Sequence, residues 1–132
     1  MTPEEAIDGV KFTIPPTLAV GTNLAQDTYL SIEHLPGADN CTADLFLYDN
    51  VSAKDVTENG VAYSMASSTG AGAGNRYEET VYAVQGSNPC TAVRYFVHYG
   101  VIENYTPGAV REFNEKVLLA QFDAIRRTLV IN

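Results

Sequence analysis

The run at residues 88–100, NPCTAVRYFVHYG, constrains the fold more than any other stretch of the chain. From Thr91 to Tyr99 the side chains alternate. Val93, Tyr95, Val97 and Tyr99 fall on one face, and Ala92, Arg94, Phe96 and His98 on the other. That period of two, in residues that are mostly β-branched or aromatic, specifies a strand. A strand apolar on one side and mixed on the other belongs in the middle of a sheet with partial cover on its second face.

The flanking sequence supplies partners for such a strand. Residues 9–14 alternate Val10, Phe12 and Ile14 against Lys11 and Thr13, and end at Pro15-Pro16, which cannot donate to a ladder. Residues 28–35 place Leu30, Ile32 and His34 on one side and Ser31 and Glu33 on the other. Residues 61–68 and 76–84 read as a hairpin whose loop is the flexible GAGAG at 70–74. Residues 41–48 fit a strand or a short helical turn equally well, because periodicity does not decide so short a run. Residues 1–8 read as a frayed or helical lead-in, and 18–27, 49–59 and 100–108 as loops, with Asn59-Gly60 as a turn signal.

A helix is expected from the N-cap Asn114, with Glu115 in its first turn and Phe113 and Leu118 placed as a hydrophobic staple. Its apolar stripe is Leu118, Phe122, Ile125 and Leu129. Arg126 and Arg127 complement the dipole at its end, and residues 129–131 suggest a last short strand. The pattern is α+β: an antiparallel sheet of five or six strands with a long C-terminal helix packed on one face. All 132 residues form a single domain in this reading. A chain of this length buries roughly two thirds of its unfolded surface, enough for one core.

The two cysteines share a context. Cys41 and Cys90 each precede Thr-Ala and each follow a turn-forming segment, so a disulfide between them is expected, with two unpaired thiols as the alternative. A disulfide implies an oxidising compartment. The start of the chain lacks the features of a signal peptide, and no apolar run approaches the roughly 20 residues needed to cross a bilayer. Either the protein stays in the cytosol, or the leader of a mature domain has been replaced by an initiator Met.

Sixteen acidic residues against eight basic ones give a net charge of −8. That balance, with the basic residues scattered, argues against nucleic acid and against anionic membrane surfaces as partners. The glycine run is neither a dinucleotide fingerprint nor a P-loop. No G-x-S-x-G elbow and no close His/Cys spacing is present, so no cofactor, no metal site and no catalytic set is expected. One constellation is polar and aromatic. Arg76, Glu78, Thr80 and Tyr82 share a face of one strand, and Arg94 and His98 share a face of the next. If those faces align, Arg76, Glu78, Tyr82, Arg94 and His98 form a patch for a small polar ligand or a protein; the plainer reading is a solvated face with paired charges. A hydrolase-like use of His98 with a carboxylate or hydroxyl is the enzymatic alternative. Three N-x-S/T sequons, at Asn40, Asn50 and Asn104, fall in expected loops.

The combination of GAGAGNRYEETVYA, NPCTAVRYFVHYG, ENYTPG and FNEKVLLAQFDAIRRTLVI resembles a group of uncharacterised bacterial exported or lipid-anchored proteins. The closing helix and apolar run are loosely similar to the end of PsbP/Mog1-type domains, in which helices flank an antiparallel sheet. The resemblance implies a periplasmic or envelope location, or secretion, with removal of a leader. It also implies a first strand that this chain lacks, and it assigns no catalytic residue.

Overall fold

The structure, a computed structural model, describes residues 8–38, 40–47 and 50–129. They form one antiparallel sheet of six strands: β1 (Asp8–Thr13), β2 (Tyr29–Leu35), β3 (Lys54–Glu58), β4 (Val61–Gly72), β5 (Asn75–Val84) and β6 (Cys90–Gly100). Two α-helices accompany it, the single turn α1 (Pro16–Ala19) and α2 (Glu115–Arg126), with short 3-10 turns at Ala43–Phe46 and Ile102–Asn104. The strand order is β1-β2-β6-β5-β4-β3, so β6 sits between β2 and β5, as its two-sided pattern requires.

Turn chemistry sets the register. Asn59 and Gly60, both at positive φ, close the β3–β4 hairpin, and Ala73 and Gly74, also both positive, close the β4–β5 hairpin. Two central residues at positive φ are the signature of the tight hairpin turn whose twist matches that of the strands, and Asn-Gly suits it best. The second turn pairs Gly72 with Asn75 and, nine positions on, Tyr63 with Val84.

Alternation then divides the core in two. On one face, Leu30 of β2 and Val93, Tyr95 and Val97 of β6 share a buried cluster with Ile14, Ala19, Leu24 and with Leu118 and Phe122 of α2. On the other face, Leu35, Ala66, Val81, Ala83 and Ala92 cluster with Ala43, Phe46 and Leu47. The Cys41–Cys90 disulfide, with Cα atoms 5.1 Å apart, fastens this second layer to the start of β6. It closes a 49-residue separation, for which chain entropy gives about 4 kcal/mol.

Several expectations need correction. The helix is short, at 12 residues. Its buried positions are Leu118, Phe122 and Arg126, whereas Ile125 is exposed. A spacing of four, four keeps the helix's inner line on 126, one residue beyond the apolar Ile125. The glycine run is strand rather than loop as far as Gly72, because the turn takes only two residues. Residues 54–58, expected as loop, are edge strand β3, and α1 interrupts the loop expected after Pro16. Residues 41–47 resolve towards the helical alternative. The lead-in before Asp8 and the strand expected at 129–131 lie wholly or largely outside the described residues; Leu129 itself is in no strand. The N-cap stands: the Asn114 side chain accepts a hydrogen bond from the Val117 amide at 3.1 Å.

Candidate functional site

Register decides the fate of the expected patch. Across the β5–β6 ladder Arg76 faces Tyr99, Glu78 faces Val97 and Tyr82 faces Val93, while Val81 faces Arg94 and Tyr77 faces His98. Directly opposed residues of an antiparallel pair share a face. Arg76, Glu78 and Tyr82 therefore lie on the α2 side of the sheet, and Arg94 and His98 on the disulfide side. The five do not converge.

Arg94 is buried and engaged by protein acceptors. Its Nε and Nη2 donate to Glu33 at 2.7 and 3.0 Å, its Nη1 donates to Glu79 at 2.9 Å, and Nη2 also reaches the Phe46 carbonyl at 2.6 Å. Burial opposes the charge, but the hydrogen bonds and charge of Glu33, with that of Glu79, hold its pKa above the usual arginine value. Four of its five N–H donors are thus spent on protein acceptors. The contact to Phe46 ties the 3-10 turn to the sheet.

His98 is similarly engaged. Nδ1 lies 2.7 Å from an Asp27 carboxylate oxygen and Nε2 lies 2.8 Å from Asn75 Oδ1. The ring stacks on Tyr77 with centroids 4.4 Å apart, and Tyr29 stacks on Phe96 at 5.0 Å beneath the Lys11 ammonium. Separations this close to the strand spacing mean that the rings stand face to face across strands, so these faces meet one another rather than a ligand.

The third aromatic group was legible only in part. Tyr82 joins Tyr63 in flanking Arg126, whose guanidinium carbon lies 4.2 and 4.9 Å from the two ring centroids. Arg126 Nε donates to the Tyr95 hydroxyl at 2.7 Å and Nη2 to Glu58 at 3.1 Å, while Tyr95 donates to Asp123 at 2.6 Å. Burial pushes the Tyr82 phenol upward, and burial with the Asp123 contact lifts that of Tyr95 well beyond the ordinary range. A charge at the end of a helix looks solvated in sequence. The i, i+4, i+8 line through Leu118 and Phe122 was the signal that places it inside.

Clefts open on the α2 side, among them one at Tyr63, Val84 and Leu129 and two larger ones. One, of about 360 Å³, runs beside the β4–β5 hairpin and is lined by Arg76, Glu78, Tyr99 and Thr69. Tyr99 donates to Glu78 at 2.8 Å. Burial and that bond push the Tyr99 phenol up to about 12, and burial together with the neighbouring Glu78 raises the Glu115 carboxyl. Arg76 is exposed and, among the described residues, donates to its neighbour's carbonyl at 3.0 Å. Two members of the expected patch thus meet here, without the other three.

The second cleft, of about 390 Å³, lies between α1 and the start of α2, walled by Leu18, Leu24, Phe113, Val117 and Leu118 with Arg111 among its lining residues. Beside it, buried Asn23 donates from its side chain to the Gly100 carbonyl at 2.8 Å and accepts from the Phe113 amide at 2.8 Å, joining its own loop and the segment before α2 to the end of β6. Nothing in the local sequence around Asn23 marks that role, because its partners lie 77 and 90 residues away.

Among the described residues no group of three or more His, Cys, Asp or Glu side chains is placed to hold a metal ion, and no helix is long and apolar enough to cross a membrane. No protein-family model matches the chain, and neither a curated protein nor a solved structure matches it significantly.

Proposed function

We propose that this chain is a non-enzymatic binding domain of the periplasm, envelope or secreted space that takes a small ligand on the α2 side of its sheet. The observation that carries this reading is the cleft between α1 and α2. Its lining is half apolar and half polar, and its volume falls within the size range of small-molecule sites. The buried Cys41–Cys90 disulfide and the resemblance to exported bacterial proteins support the location.

The hydrolase alternative draws no support from His98. Both of its ring nitrogens already face Asp27 and Asn75, so neither is placed to take a proton from a Ser or Cys nucleophile. The hairpin cleft supports a second binding reading, because Arg76 and Glu78 offer opposite charges on one open surface. A fragment screen by methyl NMR on the full chain separates the two. Hits are expected to shift the methyls of Leu18, Leu24, Val117 and Leu118; hits that shift Thr69 and Ala71 instead transfer the function to the hairpin, and a screen that shifts neither removes both readings.

A further inference from the structure

We propose that the cleft between α1 and α2 is a site for a monocarboxylate with an apolar body, a class that includes aliphatic carboxylic acids. The inference rests on the binding reading above and names what the cleft selects.

Arg111 is the reason. Its main chain is pinned on both sides, the amide donating to the Gly21 carbonyl at 2.9 Å and the carbonyl accepting from the Asn23 amide at 3.1 Å. The guanidinium extends over Gly21, where a Cβ would come within 3.3 Å of Nη1, so a glycine leaves it room. Yet Arg111 has no carboxylate or carbonyl partner among the described residues, in a chain with twice as many acidic as basic side chains. The contrast with Arg94 and Arg126 is direct: those arginines are held by protein acceptors, and this one is held by its backbone with its fork free.

The rest of the lining fits the other end of such a ligand. Leu24 and Leu118 are buried members of the core, and Val117 is an exposed apolar side chain on the same wall. An alkyl body laid there covers the apolar surface that Leu18, Phe113 and Val117 still expose. Arg matches a carboxylate bidentately. Glu112 lines the same cleft. Its negative charge offsets that of Arg111, so the cleft carries no excess positive charge to hold a dianion, and a monoanion is expected over phosphate esters and dicarboxylates.

The test uses the full chain with octanoate, octanol, octyl phosphate and octylammonium as probes, read by calorimetry and by methyl shifts of Leu18, Leu24, Val117 and Leu118. Octanoate is expected to bind at least tenfold more tightly than the other three. Arg111→Gln is expected to cost that tenfold for octanoate and leave octanol unchanged, with Arg111→Lys in between. Because the Arg111 side chain is exposed and its structural bonds come from the backbone, these variants are expected to fold as the parent does, checked by the spectrum itself. Equal binding of octanol and octanoate, tighter binding of octyl phosphate, or an unchanged octanoate affinity in Arg111→Gln overturns the carboxylate assignment while leaving the cleft a binding site. Absence of any methyl shift with all four probes overturns the cleft itself.

Discussion

Arg94 and Arg126 are both buried, on opposite faces of one sheet, and they are accommodated by opposite means. Arg94 sits in an ionic socket of two carboxylates and a carbonyl. Arg126 sits among the rings of Tyr63 and Tyr82 and the Tyr95 hydroxyl, and its Nη2 donates to two carboxylates at longer range, Glu58 at 3.1 Å and Asp123 at 3.3 Å. Its Nη1 is the one buried side-chain polar atom with no hydrogen-bond partner among the described residues. The difference teaches where each charge is indispensable. Two oxygens that Arg94 satisfies, on half-buried Glu79 and on the Phe46 carbonyl, have no other donor among the described contacts, so the arginine cannot leave without removing their protein partner. The partners of Arg126 are shared: Glu58 also accepts from Arg127 at 2.6 Å, and the Tyr95 hydroxyl keeps Asp123.

Removing each arginine breaks the comparison open. Arg94→Met is expected to cost about 2–3 kcal/mol in denaturant unfolding, since two half-buried carboxylates and a carbonyl lose their charged donor. Arg126→Met is expected to cost less, about 1–2 kcal/mol, since Met fills the space and favours aromatic rings while Glu58 and Tyr95 keep partners. Equal losses for the two variants would show that the sockets are not different in kind.

Titration sharpens the same contrast at smaller scale. Hydrogen bonds from Arg127 and Arg126 hold the Glu58 carboxyl below its ordinary value, so its contribution is present above the unfolded pKa and lost as pH falls through the folded one. Glu115 runs the other way. Burial and Glu78 raise it, so its favourable state is present below the unfolded pKa and is lost as pH rises through the folded one. Melting temperatures measured from pH 3 to 7, an interval set by ordinary carboxylate values of about 4, should show Glu58→Gln flattening the acid limb. Glu115→Gln should gain on the parent as pH rises. Each shift is on the order of 2 °C, given how much solvent screens such pairs. Shifts of the opposite sign would reverse both assignments.

Much of this was legible in residue types and spacing. Alternation in 91–99 located a central strand, turn residues located the long hairpin, matched cysteine contexts located the disulfide, and Asn114 located the start of α2. The missed edge strand β3 carries no alternating apolar residues, and only the Asn59-Gly60 turn betrayed it. The five-residue patch failed for a sharper reason. Within a strand, parity shows which residues share a face, but the parity of β5 relative to β6 depends on the five-residue connection at 85–89 and on the pairing of Ala83 with Ala92. A shift of one residue would have put Arg76, Glu78, Arg94 and His98 together.

Residue order by itself determined the antiparallel strands, their inward and outward faces, the disulfide pairing and the cap of α2, because each depends on neighbours along the chain or on a match between two short segments. Only the tertiary structure decided which arginines are interior and which is free. Arg94, Arg111 and Arg126 have the same chemistry, and what separates them is whether acceptors from distant strands and loops converge on the guanidinium, as they do for two of the three.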